Sequence, residues 1–240
     1  MKINFRMKMS FKSLLTIVLI TFLITTSNKI YAQTKVGIQS GYNISSVLMK
    51  DRDGIKSSTK SISGIHVGLN IDLPVTPNFY IQPGFEYIEK GFRQNDNYFF
   101  GNGNETKVKV AYVQFPLSFI YQLSIHSGKL YIGAGPYVSY GTGGKWKSKS
   151  DVVIGDIKIE NHGNVNFKND FIDGSFGEYT YGKPWEFGYN LLLGYRFVNQ
   201  LSFQINNQTG ISNLQPKVGS SSEGGVLKNR VWSFSLGYTF

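Results

Sequence analysis

The stretch N-R-V-W-S-F-S-L-G-Y-T-F, residues 229–240, decides the interpretation of this sequence. From Trp232 onward every second side chain is apolar or aromatic, and the residues between are small or polar. A period of two predicts a β-strand with one apolar and one polar face. Transmembrane β-barrels use such strands, which face lipid on one side and the barrel interior on the other. The side chains predicted to face lipid are Trp232, Phe234, Leu236, Tyr238 and Phe240.

The first 32 residues have the composition of a cleaved signal peptide. Residues 2–12 contain four Lys and Arg residues, and residues 14–24 are apolar except for two threonines. This arrangement, with Ala32 before Gln33, predicts export and cleavage at that point. No later run of 18 apolar residues occurs, so transmembrane helices are not predicted. We therefore divide the chain into a signal peptide, residues 1–32, and one barrel domain, residues 33–240.

The charge and the cysteine content exclude several classes of function. Five of the 25 Lys and Arg residues and none of the 15 Asp and Glu residues precede Gln33, so the net charge falls from +10 to +5 on cleavage. Such a modest excess does not predict nucleic-acid binding. The absence of cysteine excludes disulfide bonds and a lipid-modified cysteine. Three scattered histidines predict no metal site, and no cofactor motif is present.

Period-two patterning divides the domain into eight predicted strands separated by connections of alternating length. The predicted strands are residues 35–45, 64–73, 79–91, 107–123, 129–141, 185–197, 201–213 and 229–240. The short connections are 74–78, 124–128 and 198–200, and the long ones are 46–63, 92–106, 142–184 and 214–228. Short periplasmic turns and long extracellular loops are typical of outer-membrane barrels. The sequence thus predicts an all-β fold, an eight-stranded antiparallel transmembrane β-barrel.

Aromatic residues support this fold over a soluble β-sandwich, in which they would form a core. Rings predicted to face outward fall into two groups, one near each end of the strands, where aromatic residues are favoured at the two membrane interfaces.

Two local features of the sequence depart from regular strand alternation. Val108 and Val110 are out of phase with the apolar residues after Tyr112, which predicts a bulge. Prolines within strands remove a ladder hydrogen bond, so we also expect bulges at Pro83, Pro116 and Pro136.

The inward-facing side chains predict a polar network that fills the interior, because an eight-stranded barrel has room for little else. Its charged members and its histidine are predicted to be Lys35, His66, Asp72, Glu86, Lys90, Glu186 and Arg196. Counting from the short turns places His66 level with Glu86, and Lys35 level with Asp72. We expect both pairs to be in contact, although His66 as a neutral partner of Asn or Gln side chains is an equal alternative.

Catalysis is not predicted, because the three histidines are widely separated. His126 falls in a short turn, His66 points inward, and His162 lies in the longest connection. The alternative is a lipid A acyltransferase or deacylase on a small barrel, which would need a histidine with a serine and an acid near the outer leaflet. Lys145 and its alternating neighbours Lys147 and Lys149 could contact lipopolysaccharide phosphates, although a solvated loop strand is the simpler interpretation.

Four segments resemble one family of outer-membrane proteins. They are Y-V-Q-F-P-L at 112–117, L-Y-I-G-A-G-P-Y at 130–137, T-G-I-S-N-L at 209–214, and the terminal strand. Together they resemble the PorT-like outer-membrane β-barrel family over nearly the whole exported domain. The resemblance implies an eight-stranded barrel. It further implies that a role linked to protein secretion is possible, since some members have one, while many members have no assigned role.

We therefore expect an integral outer-membrane protein of a Gram-negative bacterium with a closed lumen. Its expected role is structural, in surface interaction or in secretion assembly, and not enzymatic. The expected partners are outer-membrane lipids and lipopolysaccharide, and the barrel-assembly machinery, which would read the C-terminal strand. An envelope or secretion-system protein is a further possible partner, and the barrel is expected to be a monomer.

Overall fold

The computed structural model describes residues 33–96, 104–149, 152–154, 157–159, 161–171, 179–218 and 225–240. The predicted signal peptide lies outside the described residues. Residues Thr34–Phe240 form one compact unit. In the described part of the chain, no helix is long and apolar enough to cross a membrane.

Eight long strands make up the barrel, and each pairs antiparallel with its neighbours in the chain. They are β1 (Lys35–Lys50), β2 (Ile62–Thr76), β3 (Phe79–Asp96), β4 (Asn104–Ile125), β5 (Gly128–Ser148), β6 (Trp185–Phe197), β7 (Leu201–Gly210) and β8 (Val226–Thr239). The remaining short strands are Thr59–Lys60, Val152–Ile154, Ile157–Ile159, His162–Phe167, Asp170–Phe171, Tyr179–Gly182 and Lys217–Val218.

The terminal strand closes the barrel on the first strand. β8 pairs antiparallel with β1 from Gly37 opposite Thr239 to Lys50 opposite Val226, and with β7 on its other side. The backbone amide of Phe240 also donates to the carbonyl of Val36 at 2.8 Å. Among the eight long strands, which the structure describes, closure leaves no unpaired edge, as a spanning sheet requires because lipid offers no hydrogen bonds. The predicted eight-stranded antiparallel barrel is confirmed.

The connections alternate in length as predicted. β2 and β3, and likewise β4 and β5, are joined by two-residue turns, and three residues join β6 to β7. Two of these tight turns hold a residue in the left-handed region, His126 with φ of 39° and Gln200 with φ of 67°. The other connections extend from the opposite, extracellular end of the barrel.

Side chains alternate between an apolar outer face and a closed inner face. Along β8 and at the residue that follows it, the side chains on the outer face are between 38% and 74% exposed: Trp232, Phe234, Leu236, Tyr238 and Phe240. The residues between them, such as Ser233 and Ser235, are buried in the interior. Exposed aromatic rings also occur near both barrel ends, and Tyr140 packs edge-to-face on Trp185 at 5.0 Å between ring centroids. This outer band is the surface that an outer-membrane barrel presents to lipid.

Several strands continue beyond the lipid-facing band. β3 extends to Asp96 and β5 to Ser148, where the sequence pattern predicted ends at Gly91 and Gly141. The predicted ends were too early, because the outer face becomes charged there and no longer shows apolar alternation. In β5 the pleat continues with Trp146 pointing inward between lysines that point outward. The barrel therefore carries a sheet extension on its extracellular side.

The bulge near Tyr112 is present, but it belongs to the neighbouring strand. Pairing of β4 with β5 shifts between Ala111 and Tyr112, and the extra residue is Thr142 of β5. Gly143 beside it has φ of 136°, a conformation that favours glycine. β4 keeps its phase, so Val108 and Val110 point inward. Their apparent phase change reflects an interior that becomes apolar toward the extracellular end.

The bulges expected at the three prolines are not observed. The β3–β4 ladder lacks two pairs between Pro83 and Pro116, but its register is the same on both sides of this gap. Pro136 of β5 pairs with Tyr189 of β6, and the register does not shift there. The prediction was wrong because losing a ladder hydrogen bond does not require an inserted residue. An interrupted ladder is enough to accommodate proline here.

An apolar cluster fills the extracellular part of the interior. Its buried members are Val47, Ile88, Phe92, Val108, Val110, Tyr112, Trp146, Val165, Tyr181, Leu214, Leu227 and Val231. Three of them, Val165, Tyr181 and Leu214, come from the long extracellular connections, which therefore fold back over the barrel mouth. A smaller cluster of Ile120, Tyr131 and Leu192 lies lower in the barrel. The polar side chains of the interior therefore lie in the layers that these two apolar clusters leave free.

Candidate functional site

A fully buried ion pair lies at the centre of the interior. Lys90 Nζ of β3 is 3.1 Å from Glu186 Oε2 of β6, and both side chains have no exposed surface. Lys90 also donates to Gln114 Oε1 at 3.1 Å and lies 4.8 and 4.9 Å from the ring centroids of Tyr112 and Tyr137. One carboxylate and two aromatic faces therefore stabilise the ammonium group in a water-poor layer.

The carboxylate of Glu186 is bonded at both oxygens. Tyr137 donates its hydroxyl to Oε1 at 2.8 Å, and Asn229 donates its amide to Oε2 at 2.9 Å. Asn229 in turn accepts a hydrogen bond from Tyr181 at 2.6 Å, which connects the extracellular connection to the core. Because every group has a partner, this network can hold buried charge at acceptable cost.

A second ion pair crosses the interior nearer the periplasmic end. Arg196 of β6 donates to Asp72 Oδ2 of β2 at 2.8 Å, and Gln82 donates to Asp72 Oδ1 at 2.6 Å. Lys35 is opposite Asp72 in the β1–β2 register, as predicted, but the contact predicted between their side chains is wrong. The Asp72 carboxylate is turned inward to Arg196. Lys35 and His126 both line a cavity of about 340 Å³ at the periplasmic mouth of the barrel.

The predicted contact between His66 and Glu86 is also wrong. Glu86 is opposite Gly68, two residues from His66, and accepts a hydrogen bond from Gln114 at 3.1 Å. The ring nitrogens of His66 bond instead to Asn43 Oδ1 at 2.6 Å and Ser235 Oγ at 2.8 Å. The alternative, an Asn side chain as the partner of His66, is the one observed, because the stagger between β2 and β3 displaces the Glu86 carboxylate along the barrel.

The orientation of Asn43 fixes the proton on His66. The amide nitrogen of Asn43 donates to the carbonyls of Ile65 and Glu89 at 3.0 and 3.1 Å, so its oxygen faces the ring as an acceptor. Nδ1 of His66 must therefore donate, and in the neutral form of the ring Nε2 accepts from the Ser235 hydroxyl. The order Ser235, His66, Asn43 has the hydrogen-bond sequence of a serine nucleophile, its base and its orienting group.

The void described among the polar side chains of the interior is small. An enclosed void of about 20 Å³ lies among polar side chains that include Gln39, Asn70, Glu86, Asn190 and Asn206. This volume is enough for about one water molecule. The hydrogen bonds described above join strands that are not neighbours in the barrel, such as β2 to β6 and β3 to β6. Within the described residues, these two ion pairs therefore bridge the lumen.

The extracellular sheet extension carries ion pairs on its outer face. Glu105 contacts Arg93 and Lys149, each at 3.0 Å, and Glu89 contacts Lys109 at 2.7 Å. The hydrogen bond from Lys149, assisted by the charge of Arg93, holds the pKa of Glu105 below its ordinary value. Glu105 is therefore ionised at neutral pH. In the described part of the chain, no histidine and carboxylate cluster is arranged to bind a metal.

Sequence patterning missed the residues that complete these sites. Lys90 was predicted to point inward, but its pairing with Glu186 was not predicted, nor was that of Ser235 and Asn43 with His66. Their alternation in the strands indicated only the direction of each side chain. His162 is exposed on the extracellular strand His162–Phe167, apart from the serine and histidine of the interior.

Comparison with known families agrees with this architecture. Residues 28–215 match the family described as "Outer membrane protein beta-barrel domain". The chain belongs to this outer-membrane β-barrel family. The match places the protein in the outer membrane of a Gram-negative bacterium, as predicted from the terminal strand. The search of curated proteins gave no match.

Several solved structures are similar to this chain at low sequence identity. The attachment invasion locus protein Ail of Yersinia pestis has 14% identity and a TM-score of 0.42, covering 87% of this chain and 99% of its own. Neisserial surface protein A has 11% identity and a TM-score of 0.40, covering 86% and 97%. The outer-membrane enzyme PagL has 14% identity and a TM-score of 0.34, covering 82% and 98%.

Proposed function

We propose that this protein is a non-conducting outer-membrane barrel that acts through its extracellular surface. The observation that carries the proposal is the pair of salt bridges, Lys90 to Glu186 and Asp72 to Arg196, which cross the interior from one side of the barrel to the other. A barrel filled in this way cannot conduct solutes, whereas its strands extend into an ordered extracellular sheet. The role is structural, in surface interaction or in PorT-like secretion assembly, with the barrel-assembly machinery reading the C-terminal strand of a monomer.

The closed interior predicts an absence of porin-like conductance. Purified protein inserted into a planar bilayer should show no steady single-channel steps of porin size, since polar and apolar layers block the lumen. A porin inserted under the same conditions controls for the sensitivity of the measurement. As a positive control in the same chain, Asp72→Ala combined with Arg196→Ala removes the periplasmic-side bridge and should raise the frequency of brief openings. Steady porin-sized steps from the wild-type protein would contradict the proposal.

A lipid-modifying enzyme is the second candidate, and one observation favours it. Ser235, His66 and Asn43 form the hydrogen-bond sequence of a catalytic triad. The burial of Ser235 argues against an enzyme, because this residue is only 3% exposed and faces the interior of the barrel. A lipid ester has no path to its hydroxyl in this arrangement. We therefore assign these three residues a structural role between β1, β2 and β8.

Reactivity of Ser235 distinguishes the two candidates. We expect a fluorophosphonate probe to leave the folded protein unlabelled and bisphosphoryl lipid A to keep all its acyl chains. Ser235→Ala should instead lower the free energy of unfolding by about 1 kcal/mol, the typical value of one buried hydrogen bond. Asn43→Ala is a matched variant at the other ring nitrogen. Labelling that Ser235→Ala abolishes, together with acyl-chain release from lipid A, would establish the enzyme.

A further inference from the structure

The outer face of the extracellular sheet extension is strongly basic. We call this surface the basic face and define it by six cations, five on β3, β4 and β5 and one, Lys149, directly after β5. They are Arg93, Lys107, Lys109, Lys145, Lys147 and Lys149. Two carboxylates, Glu89 and Glu105, lie on the same face, which leaves a net charge of +4. Lys145 and Lys147, interpreted from the sequence as part of a solvated loop strand, lie on an exposed strand that is continuous with the barrel sheet.

The strand register places like charges directly opposite one another. Lys107 is opposite Arg93 on β3 and opposite Lys147 on β5, and Lys109 is opposite Lys145. Directly opposed side chains on one sheet face have Cβ atoms about 5 Å apart, and like charges there are destabilising. A fold that needs only a soluble surface gains nothing from this arrangement. An anion bound across the strands would remove the repulsion.

The carboxylates of the basic face do not neutralise its centre. Glu105 is engaged by Arg93 and Lys149, and its lowered pKa keeps it charged in that pairing. Glu89 is engaged by Lys109. Within the described ranges, Lys107, Lys145 and Lys147 have no ion-pair partner. The neighbouring strand adds only His162 and Asn164 opposite Lys147 and Lys145.

The basic face begins just above the lipid-facing band. Tyr87, Val113 and Tyr140 are in register across β3, β4 and β5 at the top of that band. Lys109 lies four residues beyond Val113, which is about 13 Å along the strand and about 10 Å along the barrel axis after strand tilt. This height corresponds to the headgroups of the outer leaflet. The cations lie on the outer face of the strands, the same face that carries the apolar band below them.

A concavity on this face has room for a phosphate group. Its volume is about 310 Å³, and it is lined by four cations, one carboxylate and one serine: Arg93, Lys107, Lys147, Lys149, Glu105 and Ser148. Lysine ammonium groups bind phosphate as point charges, and arginine adds directed N–H donors. The same charges would bind a sulfated polysaccharide from solution, but their place on the outer face and the junction with the lipid-facing band favour a lipid.

We infer that the basic face binds the phosphate groups of an outer-leaflet glycolipid, of the lipopolysaccharide type. This inference rests on the proposed surface role and names the partner of that surface. The glycolipid's acyl chains would lie against the apolar band below, and its phosphates would bridge Lys107, Lys145 and Lys147. Binding would neutralise the opposed lysines and so stabilise the extension of β4 and β5.

The test compares two triple variants that remove the same charge. Lys107→Gln, Lys145→Gln and Lys147→Gln are combined in the first, and Arg52→Gln, Lys56→Gln and Lys217→Gln, all exposed outside the basic face, in the control. Each is refolded into phosphatidylcholine vesicles and titrated with fluorescent bisphosphoryl lipid A. We expect the first variant to bind about tenfold more weakly or worse, and the control to bind as wild type.

Three further arms identify the ligand chemistry. Binding should weaken with monophosphoryl lipid A and with rising salt, since the interaction is with phosphate charge. Without lipid A, the basic-face variant should melt no lower than wild type, because it loses only repulsion. Equal loss in both triple variants, or no preference for the second phosphate, would overturn the inference. Tighter binding of a heparin oligosaccharide than of lipid A would assign the face to a soluble polyanion instead.

These outcomes are separable from those for the proposed function. Conductance depends on the interior, and the three substituted lysines lie on the outer face. A closed barrel whose lipid A binding is unaffected by the basic-face variant would overturn this inference alone.

Discussion

Lys90→Met should destabilise the protein by about 3–5 kcal/mol, the range observed when one partner of a buried ion pair is removed. Methionine fills a similar volume, so the loss is electrostatic and not a packing defect. The substitution leaves the Glu186 carboxylate with its hydrogen bonds to Tyr137 and Asn229 but without a cation. The Glu186 side chain is fully buried, so water cannot stabilise its charge. The measurement is the free energy of unfolding by urea in lipid vesicles.

Two control variants test the cause of this loss. Lys109→Met removes an exposed lysine from its pair with Glu89 and should cost at most about 1 kcal/mol, because solvent screens that pair. Lys90→Met combined with Glu186→Gln removes both charges and keeps an acceptor for Tyr137. The double variant should therefore be more stable than Lys90→Met alone by about 2 kcal/mol. If the double variant loses as much as the sum of the single variants, the pair is not coupled.

The barrel could be predicted from sequence because its determinants are local. Alternation along each strand reports which face is apolar, and the connection lengths report the order of turns and loops. The strand Trp185–Phe197 was predicted with its observed bounds because its pattern runs without interruption between a proline and a tight turn. Above the membrane the outer face is charged, so the apolar alternation that marked the beginning of β5 is absent beyond Gly141. The continuation of this strand to Ser148 was therefore not predicted.

The interior could be predicted only in part, because its contacts cross the barrel. Alternation places a side chain inward but does not say which distant strand it meets. Counting residues from the turns aligned His66 with Glu86, but the observed register offsets them by two. Asp72 meets Arg196, 124 residues away, because the narrow lumen brings opposite strands within reach. These pairings depend on strand stagger and barrel diameter, which no single segment encodes.

The apolar extracellular part of the interior explains another error. Lumens of small barrels are expected to be polar, so Val108 and Val110 suggested a change of phase. They instead pack with Tyr181 and Leu214 from the long connections, which cover the barrel mouth. The head of the barrel thus resembles the core of a soluble protein. This core gives the extracellular extension a fixed geometry, on which the basic face depends.

Phe234→Arg should cost about 2–4 kcal/mol of folding free energy, the range for arginine on the lipid face near the bilayer midplane. Phe234 lies on the outer face of the closing strand, opposite Tyr42 of β1 and Ile205 of β7. Neither neighbour offers a countercharge, so the guanidinium must remain in hydrocarbon or distort the bilayer. Urea unfolding in vesicles gives the cost, and heat-modifiable mobility reports the fraction folded.

An arginine on the same face of β8, but nearer the edge of the membrane, is the matched control for Phe234→Arg. Tyr238 is on the same strand four residues nearer the periplasmic rim, opposite Ile38 and Leu201, so Tyr238→Arg should cost at most about 1 kcal/mol. Deleting Phe240 removes its 2.8 Å backbone bond to Val36 and the terminal aromatic, and should reduce assembly in cells more than stability in vesicles. Equal costs for the two arginine variants would show that the outer face of β8 does not face lipid. Wild-type assembly without Phe240 would show that the strand end is not the signal read during insertion.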